Sequence, residues 1–326
     1  MLHVTAKPSR KFPRFSLLHV LNVIIPIFAL ILAGYICGKT GKLSPNASTE
    51  INRFVVWLAL PAQMFDFTAH SNWQELWQPG FIIAFSSGAI LVYLALLIYY
   101  RIQTKDWTVA SFQSLSGSYA NTGYMGIPLL LLAFGESGLG PAVIATLIVV
   151  CALFAVAIIF IELGVHAKKP FGEIIQTVGK SLATNPLLVA PFCGALWATT
   201  GLELYGPLRQ FVSFLGAAAS PCALVSIGLF LVQKTAAPAK TTWSLVFVKL
   251  ILQPFIVWVV ADPILGLPTF WVYAAVLVSA LPTGTGPFML AQYYRADGSL
   301  ISRVVLITTL GSLFTLSILV WWMTPS

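Results

Sequence analysis

Two short stretches decide how this chain is read: Asn121-Thr122-Gly123-Tyr124-Met125-Gly126-Ile127-Pro128 and Pro282-Thr283-Gly284-Thr285-Gly286-Pro287. Each lies in the middle of an apolar run long enough for a membrane helix. Each gathers helix breakers and small hydroxyl side chains where a continuous helix would need good helix formers. The second holds four Gly or Pro within six residues, which should unwind it. The first holds two glycines and a proline between Gly123 and Pro128. Unwound backbone at membrane depth exposes N–H and C=O groups that lipid cannot satisfy. It persists only when buried in protein or lining a wet cavity.

The surroundings of these stretches set the class. Of 326 residues, 58% are hydrophobic and 9% are charged. Mean hydropathy is +0.88. Soluble domains carry about 25% charged residues, so a cytosolic enzyme, a nucleic-acid binder and a disordered chain are excluded. The apolar runs are near 20 residues long and continuous, which indicates α-helical spans rather than a β-barrel. The net charge of +8 fits basic residues collected in cytoplasmic loops, not a nucleic-acid partner. Cys37, Cys151, Cys193 and Cys222 lie in apolar runs without CxxC spacing and read as packing residues.

Ten spans are expected, at roughly 17–37, 50–69, 80–100, 108–134, 140–165, 181–200, 208–233, 243–262, 269–293 and 303–323. Twelve basic residues fall in connections after odd-numbered spans, among them Lys39, Arg101, Lys168, Lys234 and Arg295. Only Arg209 falls after an even-numbered one. The first group is therefore placed in the cytoplasm and both termini outside. Lys7, Arg10, Lys11 and Arg14 oppose this, and residues 1–16 read as an atypical basic extension. The apolar run that follows is longer than a signal peptide's and has no small-x-small cleavage site, so it reads as a retained span.

An offset of 160 residues superposes the two halves without gaps. Pro26 falls on Pro186, Gly34 on Gly194, Gly41 on Gly201, Pro61 on Pro221 and Gly126 on Gly286. The halves are residues 17–165 and 181–326, joined by a short cytoplasmic loop at 166–180. Five spans per half is an odd number, so the second half enters the membrane inverted. The fold class expected is an all-α polytopic membrane protein with an inverted 5+5 repeat and broken, crossing helices 4 and 9. Paired breaks at matching places in two halves point to a transport site. After each break a half-helix restarts, with Pro128 or Pro287 suited to its first turn. Its N-terminus carries about half a positive charge. Two such ends converging favour a carboxylate. The substrate-binding candidates are therefore Asn121, Thr122, Gly123, Tyr124, Gly126, Pro128, Pro282, Thr283, Gly284, Thr285, Gly286 and Pro287.

These residues also carry a resemblance. The chain resembles the auxin efflux carrier family, in its bacterial malonate-transporter-like branch, from about Leu17 onward. The pieces that carry it are NVIIPIFALILAGYICGKTGKL, LALPAQMF, NTGYMGIPLL, NPLLVAPFCGAL, SPCALVSIGLFL and LPTGTGPFMLAQYY. The resemblance implies the fold of bile-acid symporters and sodium/proton antiporters. Helices 1, 2, 6 and 7 would form a scaffold, and helices 3–5 and 8–10 a transport domain moving like an elevator. Relatives in this fold also pair through the scaffold, which allows a homodimer. Plant members carry a proline after the span 4 asparagine, whereas here Asn121 is followed by Thr122.

Asp66, in span 2, is the coupling candidate, because intramembrane acids often relay protons. Lys249 is expected to snorkel to the cytoplasmic interface, or else to pair with an acid or with substrate, and Glu162 and His166 are expected to be interfacial. Gln113, Gln253 and Gln292 could line a pathway or join helices. Trp73, Trp77, Trp321 and Trp322 fit an aromatic belt. The expected function is secondary transport of a small organic anion, malonate or a similar carboxylate, across a bacterial inner membrane. It needs no cofactor or metal, and the coupling ion is a proton or Na+. A sodium-coupled symporter and a non-transporting membrane sensor are the alternatives. An enzyme is not expected, since no GxSxG, HExxH or nucleotide loop occurs.

Overall fold

Lipid leaves a spanning chain little choice but helix, because only there does a single segment satisfy its own backbone. The computed structural model describes residues 17–44, 46–70, 77–165, 171–184, 186–232 and 240–323. Helix α1 is Leu17–Lys39. Helix α2 covers residues 47–70, with a π-helical turn at Val55–Ala59. Helix α3 is Pro79–Thr104. Helix α4 is Trp107–Ser118, started by Asp106, whose carboxylate accepts from the N–H groups of Thr108 and Val109. Helix α5 covers residues 122–134 and opens in a π-helical turn, Thr122–Gly126. A 3-10 turn at Gly135–Gly138 leads into α6, residues 139–165.

The second half continues with α7 (Phe171–Ala183), α8 (Pro186–Thr199) and α9 (Gly206–Leu231). Then come α10 (Lys240–Ile264), α11 (Thr269–Ser279), α12 (Gly286–Tyr293) and α13 (Ser299–Trp322). Among the described residues there is no β-strand, only an isolated antiparallel bridge between Ala120 and Thr283. Among the described residues, five helical runs are long and apolar enough to cross a membrane, and three shorter apolar helices accompany them. The chain is thus a nearly all-helical protein with several membrane-spanning candidates.

Residues 166–180 read from sequence as a loop, yet Phe171–Ala183 is helical. Its apolar residues Phe171, Ile174, Ile175 and Val178 recur at helical spacing, while the basic residues around it draw attention to a connection. Residues 1–16, Trp73, His166, Lys168, Lys169, Lys234 and the side chain of Gln292 lie outside the described residues.

Helices in lipid gain nothing by hiding apolar surface, so close backbone approach and hydrogen bonds must join them. Two glycines show how. Gly34 of α1 lies against the Val225 backbone of α9, and a Cβ there would strike the Val225 carbonyl. Gly194 of α8 lies against α2, where a Cβ would come 2.6 Å from the Phe65 carbonyl oxygen. These two contacts are related by the 160-residue offset, since 34 maps to 194 and 65 to 225. Ser48 of α2 and Ser226 of α9 add reciprocal bonds, each hydroxyl donating to the other's carbonyl at 3.1 Å. The outer surface is apolar: Trp57, Phe214 and Phe314 are 62%, 70% and 69% exposed. In water such patches would aggregate; in lipid they are solvated.

Candidate functional site

Helix α4 stops at Ser118 and α5 begins at Thr122. Between them Tyr119 is extended, at φ −78° and ψ 97°. Helix α11 stops at Ser279 and α12 begins at Gly286. The two interruptions meet. The Asn121 N–H donates to the Pro282 carbonyl at 2.9 Å, and the Gly284 N–H donates to the Tyr119 carbonyl at 3.1 Å. With the Ala120–Thr283 bridge, each unwound stretch supplies the partners that the other lacks.

The four helix ends at this crossing are treated differently. The carbonyl ends are sealed by side chains. The Lys249 Nζ donates to the Ser279 carbonyl at 2.7 Å. Gln253 Nε2 donates to the Ser118 carbonyl at 3.0 Å. Thr283 Oγ1 donates to the Ser116 carbonyl at 2.7 Å, and the Thr283 N–H donates to Thr308 Oγ1 at 3.1 Å. The amide ends stay open. The N–H groups of Gly123 and Tyr124 in α5, and of Gly286 and Phe288 in α12, start helices and have no intrahelical acceptor.

Beside these open ends lies a cavity of about 330 Å³. Asn121, Thr122, Gly123, Tyr124, Thr285 and Gly286 line it from the two breaks. Val56, Leu60, Val150, Phe154, Leu187 and Leu290 make its apolar wall, and among the described residues no Lys, Arg, Asp or Glu lines it. A carboxylate here would be met by backbone N–H groups, hydroxyls and the Asn121 amide, reinforced by the helix dipoles. The Tyr124 hydroxyl donates to Asn52 Oδ1 of α2, so the break is tied to a helix outside it. Tyr119 packs edge-on against Phe154, with ring centroids 5.0 Å apart. Gly286 is demanded by that ring, since a Cβ there would come 2.6 Å from the Tyr119 hydroxyl oxygen.

The other residues expected at the site are placed differently. Gly126, Pro128, Pro282, Thr283, Gly284 and Pro287 do not line the cavity. Thr283 is fully buried and spends its hydroxyl on Ser116. Pro287 stands in the first turn of α12, as its type suggests. Pro128 stands in the first turn of the regular α-helix Ile127–Phe134, which follows the π-helical turn Thr122–Gly126. In that turn Asn121 O accepts from Gly126 N–H and Thr122 O from Ile127 N–H, a wider spacing that accommodates a nearby residue without N–H. Asp66 lies outside the cavity, with its carboxylate 3.4 Å from His70 Nδ1.

Lys249 corrects its sequence reading most. It does not snorkel; it is fully buried, with its amine on the end of α11. Glu162 is buried within the protein, accepting from the Tyr294 hydroxyl at 2.7 Å. Gln253 is a helix-to-helix bond, and Gln113 Oε1 is buried without a partner among the described residues. For Lys249 and Gln253 the sequence carries no sign of these destinations, because their partners are backbone carbonyls, which have no residue signature.

Comparison with known proteins fits this geometry. The family model described as Membrane transport protein matches residues 19–320, so the chain belongs to that transporter family, which includes the auxin efflux carriers, and is not an enzyme. It is 30% identical over 302 residues to a protein of Rhizobium meliloti described as "Putative malonate transporter", covering 91% of this chain and 94% of that one. It is 23% identical over 315 residues to an uncharacterised transporter of Methanocaldococcus jannaschii, covering 92% and 98%. Auxin efflux carrier component 5 of Arabidopsis thaliana is 23% identical over 332 residues, covering 90% and 93%.

Proposed function

We propose that the protein is a secondary transporter of small organic anions, malonate or a similar carboxylate, in a bacterial inner membrane. The observation that carries this is the cavity at the crossing, faced by the amide ends of α5 and α12 and by Asn121, Thr122 and Thr285. The carboxylate accepts from those groups while its carbon body rests on Leu60, Val150 and Phe154. The similarity to the Rhizobium meliloti protein supports malonate as the first candidate.

The architecture we propose is ten spans in an inverted 5+5 repeat. Helices α1, α2, α8 and α9 form the scaffold, and α3–α6 with α10–α13 form a body that carries the crossing past it. The offset-related contacts of Gly34 with Val225 and of Gly194 with Phe65 support the repeat. They lie within the scaffold, where close glycine contact suits helices that stay together. In an elevator motion the backbone-paired breaks travel as one piece, and the Tyr124–Asn52 bond to α2 must break and reform. We assign the driving force to the proton gradient.

The test is uptake of labelled malonate into proteoliposomes, with pH, sodium and voltage gradients imposed separately. Accumulation driven by the pH gradient is expected. A protein that binds carboxylates in a thermal-shift assay yet moves none under any gradient would instead be a sensor.

A further inference from the structure

We propose that Lys249 is a resident counter-cation for the two broken helices, which removes any need for an alkali ion at the crossing. This deepens the transport reading and rests on it wherever uptake is measured.

The argument begins with charge. Helices α4 and α11 both end at the crossing, and each C-terminus carries roughly half a negative charge. Together they place about one negative charge in a water-poor interior, where it is weakly screened. In transporters built on discontinuous helices, such carbonyl ends hold the coupling cation. Here side chains of α10 occupy them: Lys249 on Ser279 O and Gln253 on Ser118 O, both fully buried. Lys249 belongs to neither ion pair found among the described residues. Its one hydrogen-bond acceptor there is the helix end, so the helix dipoles are what compensate its burial.

A second buried group of α10 also leaves an oxygen unused. Gln253 Oε1 is buried and has no hydrogen-bond partner among the described residues. Removing the lysine amine would leave the Ser279 carbonyl at the end of α11 as a free hard oxygen, the kind of ligand an alkali ion takes. The wild-type chain fills the position covalently. Lys249 is therefore a positioning residue: it touches no substrate, and it fixes the geometry of the breaks that do.

The test uses the purified full-length protein, melted in sodium, potassium and N-methylglucamine chlorides at equal ionic strength. Wild type is expected to melt within about 1 °C in all three. Lys249→Ala is expected to fall by about 5 °C or more in N-methylglucamine and to regain at least half of that in sodium. Sodium-specific stabilisation of wild type would overturn the proposal. So would Lys249→Ala melting like wild type, or destabilised alike in all three salts. If Lys249→Ala does not fold, Lys249→Arg and Lys249→Met decide. A folded, salt-indifferent arginine variant beside a failing methionine variant supports the proposal; any other pairing overturns it. Uptake is then measured in proteoliposomes. Sodium-independent flux in wild type, with a loss of about tenfold in Lys249→Ala that sodium partly restores, agrees with the melting result. Absence of flux for every carboxylate, with the melting pattern intact, would remove the transport reading and leave the counter-cation in place.

Discussion

The two breaks solve one problem with unequal means. The first spans residues 119–121, and the next residues coil at once into a π-helical turn. The second spans residues 280–285 before α12 begins. From the first, Asn121, Thr122, Gly123 and Tyr124 face the cavity. From the second, only Thr285 and Gly286 do, while Thr283 is locked to Ser116 and Thr308. The comparison teaches that matching sequence positions need not share work: one break supplies more of the cavity lining, and the other braces.

The largest effect expected is from Gly286→Val. The added side chain must displace Tyr119 from the cavity wall, and uptake should fall about 100-fold, as a misplacement near 1 Å can cause. Uptake close to wild type would show that the second break tolerates what the geometry forbids. Next is Asn121→Ala, which removes a hydrogen bond to a charged group. The apparent affinity for carboxylate should weaken about tenfold, with the melting temperature nearly unmoved. Thr283→Val should do the reverse. Losing a buried bond costs about 1–3 kcal/mol, read as a lower melting temperature, while affinity in the folded fraction stays. If Thr283→Val weakened affinity without lowering stability, the division of labour would be wrong.

Tyr124→Phe should change the uptake rate by roughly threefold, the scale of one net hydrogen bond. Its effect would sharpen the comparison, because this bond ties the first break to α2. Asp66→Asn should have the smallest effect, under about twofold, as for a partly exposed pair. The Asp66 and His70 side chains are 33% and 38% exposed, away from the cavity. A flattened pH dependence of uptake in Asp66→Asn would return that residue to the coupling path.

Much of this was legible beforehand. Composition fixed the solvent as lipid, and the runs of Gly, Pro and Thr placed both breaks within a few residues of where they occur. The offset that pairs Gly34 with Gly194 was also readable, because glycine at a close helix crossing cannot be replaced cheaply. What escaped notice depends on partners without a residue signature. Lys249 looked like a snorkelling lysine because a carbonyl at the end of α11 cannot be seen in a string of letters. Thr283 and Thr285 are two residues apart and chemically identical, yet one braces and the other faces the cavity. Pro128 marks the first turn of the regular α-helix, but the π-helical turn before it carries no comparable signature.

The pairing of the breaks also has a consequence for biosynthesis. The Asn121 N–H and the Tyr119 carbonyl find their partners at Pro282 and Gly284, far later in the chain. A ribosome that has delivered α4 and α5 to the membrane has therefore delivered two unsatisfied amide groups as well. Until α11 and α12 emerge, water, a lipid headgroup or an insertion factor must shelter them. A chain truncated after α6 should accordingly be cleared by quality-control proteases, however well its individual helices insert. Co-expression of the second half as a separate polypeptide should rescue it.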